Sequence, residues 1–227
     1  MTTPLDTGAA PVANSTPDLS SYYLIHRALR DGAGRLAQTI RLAEPGTDRE
    51  RVQALRRWYS GFAAELLLHH RIEETIHFPA LAERVPAIAG HEQRLAAEHA
   101  ALLRSIERVQ DALAQLAAMP IDDRSHTEAV AASAELRDLL DRHLEFEDVD
   151  ILPLFVRHFS GEEYQALDAG ARNAGSLRMM AFTVPFVAEA ATPVELGELL
   201  ELAPLLVRLV LVVNRGRYRR LVAAAFG

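Results

Sequence analysis

Two segments of the chain carry histidine and glutamate at the same spacing. Residues 69–81 read HHRIEETIHFPAL, and residues 143–155 read HLEFEDVDILPLF. In each segment a histidine is followed four residues later by a glutamate and ten residues later by a proline, which pairs His69 with Glu73 and His143 with Glu147. Because side chains four apart share one face of a helix, each segment directs an imidazole and a carboxylate to one point. These two donor types together are typical of a metal site.

Both pairs share a helical stripe with large apolar residues, so we expect them to point into a core. The adjacent pair, His70 and Glu74, is rotated from this stripe by about 100° and therefore belongs at the rim of the site or around its ligands. The inward stripes are Leu55, Phe62, Leu66, His69, Glu73 and Ile76 in the first segment, and Leu136, Leu140, His143, Glu147, Ile151 and Leu154 in the second.

Four long helices must position these residues. Strand signals are almost absent, whereas Ala, Leu, Arg and Glu recur at helical spacing, which predicts an all-α fold. Short connections between long helices favour an antiparallel up-down four-helix bundle over residues 19–158. The predicted helices cover about 19–43, 48–84, 87–118 and 126–158. Capping boxes mark helix starts at Thr47 with Glu50, Ser125 with Glu128, Ser160 with Glu163, and Thr192 with Glu195.

The two ends of the chain lie outside this predicted bundle. Residues 1–18 are rich in Pro, Thr, Ala and Ser and predict a disordered leader. Residues 159–227 predict a C-terminal helical extension of about three helices, with a loop through residues 182–193. We expect the extension to cap the bundle or to form a dimer surface, and Tyr164 and Tyr218 are its candidates for reaching the core.

Two more histidines, His26 and His99, lie on apolar stripes of the first and third helices. In an up-down bundle they reach the same end as the two His–Glu pairs, at a depth of roughly 12–22 Å. Four imidazoles and two carboxylates in an apolar core must be paired or bind metal. Without thiolates, this donor set suits iron, manganese or zinc, and carboxylates that can bridge favour two ions with about two coordination positions open.

Composition narrows the classes of function. The 227 residues include no cysteine, so a thiolate site is excluded. The formal net charge is -7, which argues against nucleic-acid binding. No signal peptide is apparent, and the apolar stretch at 199–213 is too short to span a membrane and is interrupted by Glu201, Pro204 and Arg208. We expect a cytoplasmic protein without a membrane anchor.

At these residues the sequence resembles the hemerythrin-like, or HHE cation-binding, family. The resemblance rests on His26, the segments that begin at His69 and His143, and His99 within AEHAALL, and it covers about residues 19–158. It implies a four-helix bundle with a non-heme di-iron centre, in which the two glutamates bridge. The iron ligands that it implies are His26, His69, Glu73, His99, His143 and Glu147.

One position departs from the oxygen carriers of that family. They have a His-x-x-x-His pair on the third helix, whereas Leu95 stands one turn before His99 here. His70, Tyr22 or solvent could take the place of the missing nitrogen. A more open site favours chemistry with hydrogen peroxide or nitric oxide, or sensing, over storage of O2. The remaining histidines, predicted at the surface or at helix ends, are His77, His91, His126 and His158.

Three interpretations therefore stand. The first is a non-heme di-iron protein that binds or reacts with O2, hydrogen peroxide or nitric oxide in a stress response, with turnover like that of a catalase or peroxidase. The second is a non-enzymatic iron or redox sensor, in which the extension reports the state of the metal. The third is a structural bundle that holds zinc or no metal.

Overall fold

Helices form all the regular structure in the part of the chain that is described. The computed structural model describes residues 15–43, 49–119, 122–172 and 175–227, and no strand occurs within them. The all-α prediction is confirmed. The α-helices are α1 Ser20–Leu42, α2 Arg49–Ile72, α3 Phe78–Arg84, α4 Ala89–Ala118, α5 Asp123–Phe146, α6 Leu152–His158, α7 Gly161–Arg172, α8 Leu177–Ala190, α9 Pro193–Leu202 and α10 Leu205–Phe226. A 3₁₀ turn, Pro86–Ile88, precedes α4.

Two of these helices run on into the next through a short π-helical segment. The first π segment, Glu73–His77, joins α2 to α3, and the second, Glu147–Ile151, joins α5 to α6. Each therefore begins at the glutamate of a His–Glu pair. The backbone N–H of the residue after each segment donates to that glutamate's carbonyl, five residues back.

The prolines at the shared spacing account for these segments. Pro79 and Pro153 lack the N–H that an α-helix needs, and their rings would clash with the carbonyl four residues back. A π turn widens the helix there, so the chain continues without a break. The repeated prolines are visible in the sequence, but their effect on the type of helix is not.

The wider turn also changes which residues face inward. The predicted stripes place Ile76 and Leu154 in the core, yet both are only partly buried. His77 and Phe155 are buried instead, each one position further along. The prediction of His77 at the surface is therefore wrong, because the π segment advances the inward face by about one residue.

The capping predictions have mixed outcomes. The boxes at Ser160 and Thr192 are present, with both reciprocal hydrogen bonds. The box at Ser125 is wrong: Asp122 is the N-cap of α5 and accepts from the Ser125 N–H, so the helix starts at Asp123 rather than at 126. The predicted box at Thr47, like leader residues 1–14, lies outside the described residues.

Helices α1, α2, α4 and α5 contact one another around an apolar interior. Helix α1 packs on α5, α5 on α4, α4 on α2, and α1 on α2. Buried residues form two separate apolar clusters: an upper cluster with Leu36, Phe62 and Leu136, and a lower cluster with Leu81 and Phe155. The glutamates and histidines of the paired motifs belong to neither cluster.

Within its described residues, the C-terminal region has four helices rather than about three. Helices α8 and α10 pack on each other, and both pack on α2. The loop predicted over 182–193 is wrong, because most of it lies in α8. Pro185 lies within that helix. The stacked rings of Phe182 and Phe186 pack against Trp58, and this packing outweighs the unfavourable effect of proline inside a helix.

The two tyrosines expected to reach the core are both buried. Tyr218 accepts a hydrogen bond from Trp58 Nε1 at 3.4 Å, and Tyr164 lies in the lower cluster. The described part of the chain contains no helix with the length and apolar character needed to cross a membrane.

Docking of α8 depends on a glycine in α2. A Cβ at Gly61 would overlap the ring of Phe182. We expect Gly61→Ala to displace α8 and to lower the free energy of unfolding by about 1–3 kcal/mol, although alanine favours helix. At Gly34 in α1, a Cβ would meet no atom within 4 Å, so Gly34→Ala is the matched control and should stabilise by about 0.5–1 kcal/mol. Urea unfolding measures both, and a stabilised Gly61→Ala would contradict the packing argument.

Candidate metal centre

The predicted polar residues meet in two overlapping groups in the interior of the protein. The first group is His26, His69, Glu73 and Glu147, and the second is His70, Glu73, His99 and His143. In each group one nitrogen or oxygen atom per residue lies within 4.8 Å of the others, and every member is buried. Glu73 belongs to both groups. This spacing is compatible with one cation in each.

Both carboxylates extend between the two groups. Glu73 Oε1 lies 3.1 Å from His69 Nε2, and its Oε2 lies 3.5 Å from His99 Nε2. Glu147 Oε2 lies 3.5 Å from His26 Nε2, and its Oε1 lies 3.3 Å from His143 Nε2. Each glutamate thus offers one oxygen to a histidine of each group, which is the arrangement that a bridging carboxylate requires.

Three of the imidazoles are held from outside by further carboxylates. His26 Nδ1 donates to Asp148 at 2.7 Å, His99 Nδ1 to Glu74 at 2.7 Å, and His143 Nδ1 to Glu98 at 3.0 Å. Since a carboxylate only accepts, these contacts place the proton on Nδ1 and leave the Nε2 lone pair directed inward. Carboxylate–histidine pairs of this kind orient metal ligands in proteins.

The inward nitrogens have no hydrogen-bond partner among the residues that the structure describes. They are the Nε2 atoms of His26, His69, His70, His99 and His143, and three of the four oxygens of Glu73 and Glu147 share this state. A buried polar atom left unpaired costs about 1–3 kcal/mol, so a whole cluster of them is a strong sign of a ligand. Imidazole and carboxylate donors without thiolate fit iron, manganese or zinc.

Sequence analysis missed the supporting role of Asp148 and Glu98. Asp148 directly follows Glu147, and its carboxylate bonds both His26 and Arg30. A signal was present: an acidic residue directly follows each paired glutamate, as Glu74 and as Asp148. The contact from each to a histidine of another helix is what the sequence spacing alone does not give.

His70 lies in the interior and not at the rim. Its ring stacks on that of His99, with centroids 4.1 Å apart, and meets the ring of His143 at 5.3 Å. The expected pairing with Glu74 is not seen, because Glu74 is exposed and contacts His99. His70 therefore lies beside His99 and adds a third imidazole to the second group.

Burial and mutual repulsion set the protonation of the two carboxylates. Burial, followed by the neighbouring Glu73 charge, holds the pKa of Glu147 well above its usual value. Burial also raises the pKa of Glu73, but His69 and the other imidazoles outweigh it and hold the pKa well below the usual value. Without a cation, these shifts favour a protonated Glu147 beside an ionised Glu73. A bound cation replaces that proton.

Comparison with known proteins agrees with this geometry. The family model for the hemerythrin HHE cation-binding domain matches residues 20–155, which contain every residue of both groups. The chain belongs to the hemerythrin family. No curated protein and no solved structure matches the chain. Hemerythrin domains bind metal ions, typically iron, and the two groups are the candidates for cation binding within the matched residues.

The remaining predicted residues lie around this hemerythrin site. Tyr22 is buried, and its hydroxyl donates to Glu73 Oε1 at 2.6 Å. His91 packs on Phe146, and His126 Nε2 bonds the Ile40 carbonyl at 2.9 Å, both away from the two groups. His158 ends α6 and is exposed.

Asp148 provides a test of the outer contacts. Asp148→Asn weakens the acceptor for His26 Nδ1, and we expect iron affinity to fall about 10- to 100-fold while the fold is kept. Asp150→Asn is the matched control, since Asp150 is an exposed residue of the same π segment. Competition with a chelator of known affinity measures both variants. Equal affinities would mean that Asp148 does not orient His26.

Proposed function

We propose that the chain holds a pair of iron ions in an antiparallel up-down bundle and uses them to bind or transform a small oxygen or nitrogen-oxide ligand. His26 and His69 serve the first ion, and His70, His99 and His143 serve the second. Glu73 and Glu147 bridge them. The observation that carries the proposal is the overlap of two buried donor groups, with each glutamate reaching both.

The bundle arrangement is supported by the helix contacts. The closed series of contacts through α1, α2, α4 and α5 is the one that four sequential antiparallel helices make. Iron in such a site supplies reversible one-electron steps and open coordination positions. The protein contributes fixed imidazole orientations, a proton-holding carboxylate pair, and exclusion of water by the apolar clusters on either side.

Hydrogen peroxide is the substrate whose conversion needs no other reactant. Two peroxide molecules give two waters and one O2, because one is oxidised by two electrons and the other takes up those electrons with two protons. No outside reductant is needed. O2 and nitric oxide bind as alternative ligands, and a part in oxidative or nitrosative stress follows from this chemistry. A cytoplasmic location stays a prediction.

Metal analysis with an optical spectrum tests the proposal. Protein purified without chelator should carry about two irons per chain with the absorption of a bridged pair. His69→Ala and Glu147→Ala should lose it, while His158→Ala, which changes an exposed histidine, should keep it. Peroxide consumption should then scale with bound iron and exceed that of free iron. Zinc, no metal, or iron that survives both substitutions would overturn the proposal.

A sensor function is the second candidate, and one contact favours it. Thr183 of α8 donates to Glu65, a buried residue one turn before His69 in α2. Burial raises the pKa of Glu65 despite this hydrogen bond. A change at His69 therefore has a direct path to the C-terminal helices. Ligand-dependent protease protection of α8, with little turnover, would favour sensing over catalysis.

We also propose that α10 pairs two copies of the chain. Leu205, Leu209 and Val212 follow one side of the helix and are 81%, 57% and 76% exposed. An exposed apolar strip of this length is uncommon on a monomer. The arginine-rich segment 215–220 of α10 and the acidic helix α9 also carry opposite charges, which would favour contact between two copies.

Sedimentation equilibrium at micromolar concentration measures this pairing. Wild type should have the mass of a dimer, and Leu209→Glu should shift it to monomer, because a buried unpaired charge opposes association. Leu103→Glu places the same charge on an exposed leucine of α4 and should remain dimeric. A wild type that is monomeric at these concentrations would rule out the α10 interface.

A further inference from the structure

His77 is a buried histidine that the two groups do not use. It is 3% exposed, and neither ring nitrogen has a hydrogen-bond partner among the described residues. Buried polar atoms in native proteins are nearly always paired, so two such nitrogens on one ring mark a place that receives a polar molecule. Aromatic side chains line its other sides: the His77 ring lies 5.9 Å from Phe155 and 6.5 Å from Tyr164.

His77 lies beside Tyr22, and the Tyr22 ring contacts two histidines of the first group. The ring of Tyr22 lies 5.3 Å from His77, 4.9 Å from His26 and 5.7 Å from His69. The Tyr22 hydroxyl is directed to Glu73. His77 and Tyr22 therefore form one side of the first group, and we call these two residues the His77–Tyr22 wall.

The two groups differ in how many nitrogen donors they supply. The first has two histidines, and the second has three. The second is also crowded, because the rings of His70, His99 and His143 pack on one another and Phe78 lies against His99. A cation held by the first group would therefore have fewer protein donors around it, and the His77–Tyr22 wall lies on the side of that group.

The protonation of His77 defines which molecule suits it. Burial lowers its pKa to about 4, so the ring is neutral at physiological pH. A neutral imidazole has one N–H donor and one lone-pair acceptor. A matching ligand must both accept and donate a hydrogen bond. Hydrogen peroxide does both, whereas O2 and nitric oxide carry no proton to donate.

We propose that the His77–Tyr22 wall is a binding site for hydrogen peroxide beside the first group, in which His77 holds the peroxide by hydrogen bonds. This inference rests on the proposed di-iron function and adds to it the ligand and the side of approach. It also gives a reason for a buried histidine at the end of a π segment, where an apolar residue would pack without unpaired nitrogens.

Two substitutions at His77 test the site on iron-loaded, full-length protein. His77→Leu removes both ring nitrogens, and His77→Gln keeps one donor and one acceptor. We expect His77→Leu to retain the iron content and optical spectrum of wild type, to raise KM for peroxide about 10- to 100-fold, and to leave the affinity for nitric oxide unchanged. His77→Gln should recover part of the loss in KM. His126→Leu, at a histidine remote from the site, should match wild type.

The other outcomes distinguish failure of the peroxide site from failure of the proposed di-iron function. An unchanged KM in His77→Leu, or a loss of peroxide and nitric oxide binding to the same degree, would overturn the peroxide site. Loss of iron in His77→Leu would make His77 part of the metal centre and would overturn it as well. If iron-loaded wild type does not consume peroxide, the peroxide site is contradicted but the di-iron site is not. If wild type binds no iron, both proposals are contradicted.

Discussion

Glu73→Ala is expected to abolish binding of both iron ions. Glu73 is the member common to both donor groups, it is fully buried, and its two oxygens face His69 and His99. Its removal would delete a donor from both groups and leave the imidazoles with Glu147 as the one remaining carboxylate. We expect iron content to fall from about two to less than about 0.2 per chain in a protein that remains helical. Metal analysis and circular dichroism measure the two quantities.

Two further variants provide the comparison: one changes a residue that belongs to a single donor group, and the other changes a residue that belongs to neither. His70→Ala removes a ligand from the second group only, so about one iron should remain. Glu83→Ala changes an exposed glutamate of the same helical run and should keep the wild-type content. Equal losses in Glu73→Ala and His70→Ala would mean that the ions bind only as a pair. Retention of both irons in Glu73→Ala would refute the shared-ligand geometry.

Iron-free protein is expected to lose stability as the pH falls from about 6.5 to about 4. Burial lowers the folded-state pKa of both His26 and His77 to about 4, while the unfolded chain has the ordinary value of 6.5. Below pH 6.5 the unfolded chain gains protons that the folded protein excludes, so unfolding becomes more favourable. Each group accounts for up to about 3 kcal/mol at the acid end. The raised pKa of Glu147 acts in the opposite direction.

Substitution of His77 isolates its part of this effect. In chelator-treated protein, His77→Leu should flatten the acid decline relative to wild type, with a difference that grows by up to about 3 kcal/mol between pH 6.5 and pH 4. His77→Gln should flatten it equally, because either change removes the titrating ring. Urea unfolding at a series of pH values gives the comparison. A decline as steep as that of wild type in both variants would show that His77 is not held neutral.

Much of the helical framework and of the donor set follows from local sequence patterns. The period of apolar residues gave the long helices to within a few residues, because amphipathic helices have a single solution for their inward face. The shared His-x-x-x-Glu spacing picked out the residues that the structure brings together. These features depend on neighbours within one or two turns, which the sequence shows directly.

The wrong predictions concern residues whose position depends on tertiary contacts or on a local change of helix type. The π segments after Glu73 and Glu147 rotate the following residues, so His77 is buried although a uniform α-helix puts it outside. His70 was assigned to the rim because periodicity describes one helix, whereas its position depends on the ring of His99 in another. The loop predicted over 182–193 is largely helical, because aromatic packing keeps Pro185 within α8.

The separation of the interior into two apolar clusters gives the metal a mechanical part. Between them lies a layer of imidazoles and carboxylates that repel, or leave one another unpaired, when no cation is bound. Each cluster then stabilises its own end of the helices, and the polar layer between them is the least stable part of the interior. Two cations bridged by Glu73 and Glu147 would fasten α1, α2, α4 and α5 across that layer. Metal binding would thus couple the two apolar clusters, so that the protein unfolds in one cooperative transition. The site would then contribute to the cooperativity of folding as well as to chemistry.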